Sequence, residues 1–307
     1  MPVRATTEKV RKAVRERYGA SRERVAQLWR GPFAQVARAV ILPWKLFKVV
    51  CFVLGLSLLG AGSATYVYVT TFFHSLPAIE KMTTKDLQQL GRHRIEDRLV
   101  NKHAYFHWVQ LGEISRGCLY SIVTSEDATF FEHDGFNYEA IMDSLAENIR
   151  ERKPAFGAST ISQQVVKNLF LGNEKTIVRK FREFLITRAV ERHFSKNQIL
   201  EVYLNIAEFG PDIYGVDAAS RHFFVHNAGE INAAQGAFLG LMLPSPRRNY
   251  FSIWQNRNLT KIKHRRLERV LRDMLYEEYL TEAQYRQFVH YPYFPEKNSR
   301  MPAHIRN

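Results

Sequence analysis

The chain has 307 residues and a mass of 35.8 kDa, enough for one large domain or two modest ones with a substantial core. Hydrophobic residues at 46% and charged residues at 24% exclude a disordered or fibrous protein. The formal charge of +14 is lopsided: residues 1–48 hold 12 basic and three acidic groups, and the remaining 259 carry only +5. The high isoelectric point is therefore mostly a property of the amino terminus, and a nucleic-acid-binding surface is not required. No groove-reading motif accompanies the charge.

Taken in order, residues 1–48 predict a basic arm with an amphipathic helix around Val10, Val14 and Tyr18, broken at Gly31-Pro32. Its charge suits anionic lipid headgroups better than nucleic acid. Residues 49–73 run without a charge for 25 positions, about 37 Å as a helix, enough to cross a bilayer. Trp44, Lys45 and Lys48 mark one edge of this span, and Tyr66, Tyr68, Phe72 and Phe73 the other. The long basic lead and the length of the apolar run predict an uncleaved anchor rather than a signal peptide. The basic excess places the amino terminus inside and the carboxyl domain outside.

Cys51 lies in the apolar span, so no disulfide to Cys118 is expected. No CxxC, HExxH or paired Cys/His spacing points to zinc.

Residues 74–104 read as a membrane-proximal linker. Beyond them a mainly helical domain is expected, with helical periodicity over 137–151, 160–171, 176–194, 195–207 and 260–279. Ser195 and Gln198 form a capping box, with Phe194 and Ile199 as its hydrophobic staple; Thr281 and Gln284 repeat the box. The best strand candidate is the run at 122–124.

Four polar clusters carry chemistry. Glu126 to Gly135 brings four acids and His133 among apolar residues. A carboxylate beside Phe130 and Phe131 would have a raised pKa suited to a general base. By itself, the segment reads rather as an exposed acidic turn. Gly157 to Asn168 places Gln163 and Lys167 on one helical row, Gln164 and Asn168 on the next, if Ser159 or Thr160 caps the helix. That stripe of amides, hydroxyls and one lysine is a wall for sugar or phosphate; the bland alternative is a solvated face. Arg179, Lys180 and Glu183 share one helical side, which alone would be a surface ion pair. Lys196 to Asn205 reads as a packed helix before anything catalytic. Lys263 to Arg266 opens a basic helix facing solvent, lipid or phosphate.

In this order the segments resemble the family 51 glycosyltransferases, the peptidoglycan transglycosylases. The matching patterns are E-D-x-x-F-x-x-H-x-G at Glu126–Gly135, G-x-S-T-I-x-Q-Q-x-x-K-N at Gly157–Asn168, R-K-x-x-E at Arg179–Glu183 and K-x-x-I-L-x-x-Y-L-N at Lys196–Asn205. A late arginine pair with Val270-Leu271 is the loosest match, one residue out of register. The resemblance covers about residues 105–275, leaving 276–307 as a carboxyl extension that packs on the domain or touches the membrane. The run YLNIAEFG followed by YGVDAASRHFF is similar to the monofunctional branch.

The resemblance implies a lysozyme-like glycosyltransferase domain behind a single transmembrane helix. It implies a single-pass bacterial inner-membrane protein, with a cytoplasmic amino terminus and a periplasmic catalytic domain. The implied reaction is polymerisation of lipid II into glycan strands. In it Glu126 is the general base and Glu183 the second carboxylate. Lys167, Arg179 and Lys180 meet the pyrophosphate, and Ser159, Gln163, Gln164 and Asn168 bind substrate; His133 is a structural hydrogen-bonding residue.

No cofactor is required by the pattern, although a divalent cation, Mg or Mn, fits beside a pyrophosphate. Implied partners are lipid II, the growing strand, the membrane and other cell-wall synthesis proteins, without nucleic acid. No S-x-x-K or K-T-G signals a transpeptidase domain, and no Rossmann fingerprint supports a nucleotide-sugar donor. A membrane-anchored lytic hydrolase and a non-catalytic scaffold are the competing classes. The basic residues beside Glu183 disfavour the first and the intact glutamates the second.

Overall fold

A computed structural model describes residues 3–151, 159–172 and 174–294. The chain divides into two units, Met1–Ser75 and Leu76–Asn307. The first holds α1 (Val3–Arg30) and α2 (Pro32–His74). Gly31 between them is extended, and Pro32 takes the first helical position, where its missing N–H is not needed. The expected break at Gly31-Pro32 is therefore where α1 ends. Within the described residues one stretch, Pro43–Lys81, is long and apolar enough to cross a membrane, and its apolar window is not buried by protein.

The second unit is helical: α3 (Thr84–Arg98), α4 (Arg116–Asp127), α5 (Tyr138–Glu151), α6 (Ile161–Phe170), α7 (Ile177–His193) and α8 (Lys196–Ile206) come first. After a small ribbon follow α9 (Val216–Phe224), α10 (Ala233–Met242), α11 (Pro246–Asn249), α12 (Lys261–Tyr276) and α13 (Glu282–Phe288). The ribbon pairs β1 (Glu208–Gly210) antiparallel with β2 (Ile213–Tyr214). Among the described residues, five of the α-helices here start with capping boxes, at Thr83/Asp86, Thr160/Gln163, Ser195/Gln198, Asn232/Gln235 and Thr281/Gln284.

Every residue of α10 is buried, as its all-round apolar sequence requires. Its glycines let α4 approach closely. A Cβ on Gly236 would sit 2.7 Å from Cys118 Cα, and one on Gly240 2.7 Å from Ser125 Cβ. That contact decides the fate of residues 122–124, which are not a strand but the middle of α4. Cys118, Leu119, Ile122 and Val123 are buried at helical spacing, and Ser115 caps the start by accepting from the Cys118 N–H. Packing against α10 outweighs the local β preference of Ile-Val-Thr.

Both cysteines are free; Cys118 is buried, which pushes its thiol up to about 12. The carboxyl extension packs on the domain as far as Phe294. Tyr293 stacks on Phe238 at 5.5 Å, and Gln235 Nε2 donates to Tyr291 Oη at 2.9 Å. The extension beyond Phe294 lies outside the described residues.

Candidate active site

The site is built around α6, whose two ends are held by charge. At the amino end Asp127, buried at the close of α4, accepts from the Ile161 N–H at 2.9 Å. A carboxylate there complements the positive end of the helix dipole. The same carboxylate accepts from His133 Nε2 at 2.9 Å, while His133 Nδ1 accepts from the Gly135 N–H at 3.1 Å. Those two bonds fix the imidazole tautomer and give His133 the structural role expected of it. Gly135 has a positive φ of 89°, and its carbonyl accepts from Thr160 Oγ1 at 2.7 Å. At the carboxyl end of α6, Arg98 and Arg94 of α3 donate to the carbonyls of Asn168 and Leu169, each at 2.9 Å. Cations there complete the complement of the dipole.

Glu126 is half-buried and lines a groove of about 150 Å³ with Asn137, Ala140, Ser159 and Thr160. Gln164 Nε2 donates to its Oε2 at 2.9 Å, and the buried Tyr203 hydroxyl approaches the same oxygen at 3.5 Å. Burial raises the Glu126 pKa above the usual carboxylate range. The Gln164 bond, the charge of Arg266 and the Tyr203 bond oppose it, and Asp127 adds to it. The exposed acidic turn expected from the segment alone is thus confined to Glu132 and Asp134, which face solvent. Glu126 and Asp127 are drawn inward because Phe130 beside them is fully buried.

One turn along α6 from Gln164, Lys167 is exposed and within reach of the charges of a second cluster. Glu183 is buried on α7, paired with Arg179 Nη1 at 2.8 Å and with Lys180 Nζ. The Lys167 pKa is lowered, first by the protein around it and then by Arg179, Arg98 and Lys180, with Glu183 pulling the other way. An ammonium crowded by three other cations and one carboxylate is a site short of negative charge. A phosphate or pyrophosphate would supply it.

The stripe expected on α6 is rearranged. Thr160 is the cap, and Gln163 is buried with its Oε1 on the Thr160 N–H at 3.1 Å, so Gln163 is a capping residue rather than a partner of Lys167. Gln164 and Lys167, three apart, are the pair that links the two clusters. Ser159 is exposed at the groove and Asn168 is half-buried. The opening of that motif, residues 157 and 158, lies outside the described residues.

The transglycosylase family model matches residues 93–275, more than half of the chain. The chain belongs to the transglycosylase family. Relatives named biosynthetic peptidoglycan transglycosylase include one from Laribacter hongkongensis, 41% identical over 53% of this chain and 72% of its own. Another, from Nitrosomonas eutropha, is 41% identical over 50% of this chain and 66% of its own. A third, from Aromatoleum aromaticum, is 45% identical over 46% of this chain and 61% of its own. The chain thus spans slightly less than two thirds of the latter two.

Within this transglycosylase fold, Tyr203 and Arg98 join the site although the motifs did not single them out as functional, and Arg266 acts on Glu126 rather than on solvent, lipid or phosphate alone. Tyr203 sits in a segment read as packing only, and its phenol is buried against Glu126, whose charge and hydrogen bond help burial raise its pKa. Arg266 comes from the basic helix α12, and its charge lowers the Glu126 pKa. Arg98 comes from a segment read as linker. A basic residue three or four positions after another (Arg94, Arg98) is the signal that was available for it.

Proposed function

We propose that this chain polymerises peptidoglycan glycan strands from lipid II. The observation that carries the reading is the pairing, across one helix, of a carboxylate with a raised pKa and a cluster of cations around a buried glutamate. Glu126 takes the proton from the 4-hydroxyl of the acceptor GlcNAc. That oxygen bonds to C1 of the donor sugar from the opposite face and inverts it. The C1–O bond to phosphate breaks, and its electron pair leaves on undecaprenyl pyrophosphate. Lys167, Arg179 and Lys180 meet the charge as it develops, where preorganised cations have their largest effect. Glu183 holds Arg179 and Lys180 in place, and Gln164 orients Glu126. Ser159 and Asn168 border the path of the sugars.

Among the described residues no group of three or more His, Cys, Asp or Glu side chains comes together as a metal site. A Mg or Mn ion would therefore take most of its ligands from the pyrophosphate itself. The basic excess of residues 1–48 supports a cytoplasmic amino terminus and a periplasmic catalytic unit at the bacterial inner membrane. Confining enzyme and lipid-linked substrate to one surface raises their effective concentration.

Incubation of the full chain in detergent with lipid II tests the reading. Glycan ladders on a gel, with release of undecaprenyl pyrophosphate, are expected. Folded protein that makes no ladder but releases fragments from intact sacculi would overturn it in favour of a hydrolase.

A further inference from the structure

The reaction proposed above uses nothing before the membrane span, yet the first unit carries an ordered pattern of its own. α1 is a single helix of 28 residues. At 100° per residue, Val14, Tyr18 and Val25 fall in one stripe. Within it Val14, Tyr18 and Val25 are exposed, Tyr18 at 73%. Arg11 and Arg22 border the stripe on one side, Arg17 and Arg24 on the other. Glu16 and Glu23 lie opposite it, beside Lys12.

This segregation distinguishes a lipid surface from other occupants. Two rows of arginine bordering an apolar stripe let the stems lie along hydrocarbon while the guanidinium groups reach lipid phosphates. A second copy of the same helix would set arginine rows against one another, which like-charge repulsion disfavours. A merely solvated helix has no reason to keep glutamate off the face that carries Val14, Tyr18 and Val25. The start of α2 continues the pattern: Val36, Val40, Trp44 and Phe47 share one exposed stripe, with Gln35 and Lys45 away from it. Two joints frame this stretch. Gly31-Pro32 interrupts the helix, and Pro43 inside α2 removes one backbone N–H where the chain enters the apolar span.

We propose that α1 is an interfacial helix that lies on an anionic phospholipid surface, its valine stripe in the acyl boundary and its arginines on headgroup phosphates. The inference rests on the membrane span and not on the polymerase reaction. Tethering by α2 keeps the surface always within reach of the arm.

The test uses the full chain with Cys51→Ala, Cys118 being buried and unreactive. Single cysteines replace Val14, Tyr18, Val25, Glu16 or Glu23 and carry a nitroxide. The protein is reconstituted in phosphatidylcholine vesicles with or without phosphatidylglycerol. With the anionic lipid, labels at 14, 18 and 25 should collide with oxygen and be shielded from an aqueous nickel chelate. Labels at 16 and 23 should show the reverse, and the contrast should be lost in phosphatidylcholine alone. Equal nickel access at all five positions would overturn the proposal, as would a contrast that ignores lipid charge. Dipolar broadening between labels at position 18 of neighbouring copies would also overturn it, by pointing to helix pairing.

Discussion

Gln164 Nε2 and Glu126 Oε2 meet at 2.9 Å, joining the last turn of α4 to the first half of α6. The bond stabilises the ionised carboxylate against a burial that disfavours it. Glu126 acts as a base only when ionised, so activity should rise with pH through a value above the usual carboxylate range. Tyr203 and Arg266 also favour the ionised form. Tyr203→Phe and Arg266→Ala should therefore move the acid limb of the pH–rate profile upward. A lost bond of about 1 kcal/mol predicts about a fivefold fall in rate below the limb, recovered at higher pH. A uniform fall at all pH values would contradict this.

Glu183 governs the other limb. Its charge raises the Lys167 pKa while Arg179, Arg98 and Lys180 lower it. Glu183→Gln removes the only carboxylate among those influences, so Lys167 should lose its proton at a still lower pH and the basic limb should move down. The same change leaves Arg179 and Lys180 without their partner. A loss of about 2–3 kcal/mol, or about 30- to 150-fold in kcat/KM, is expected from assays across pH.

Asp127 is predicted to matter for stability before chemistry. It accepts from the Ile161 N–H and from His133, both buried or nearly so. Asp127→Ala removes the acceptor of the Ile161 N–H at the start of α6 and leaves the imidazole unpaired, which should cost about 2–4 kcal/mol in denaturant titrations. Asp127→Asn keeps one acceptor and should cost less.

The close approach of α4 and α10 is open to a direct check. A Cβ on Gly236 would lie 2.7 Å from Cys118 Cα, a backbone atom that can move only with its helix. Gly236→Ala should destabilise the domain by about 1–3 kcal/mol. Gly112→Ala, with nothing within 4 Å of the new methyl, should lie within about 0.5 kcal/mol of wild type.

These residues show what a sequence can and cannot reveal here. Strong helical periodicity and local caps were legible, because both depend on residues three or four apart: Ser195 with Gln198 is one case. Gln163 obeys the same rule with Thr160, so that cap was equally legible. The Ile-Val-Thr run misled because its strand preference is local, whereas the glycines that hold it helical lie more than a hundred residues away. Glu126 stood out by motif, but its burial depends on Phe130 and Tyr203, and Tyr203 arrives from α8. Arg266 and Arg98 belong to the site only because α12 and α3 fold back onto it.

Glu126→Gln removes the group proposed as the base of a glycan polymerase while keeping its size. Because burial raises its pKa, ionised Glu126 opposes folding. That cost is absent below the unfolded carboxylate pKa and grows as pH rises toward the folded one. The variant should therefore melt at or above wild type at neutral pH and converge with it in acid. Wild type and variant, each shown folded by that melt, are given lipid II and the products resolved on a gel. The account predicts ladders from wild type and none from Glu126→Gln; ladders of equal intensity from the folded variant would contradict it.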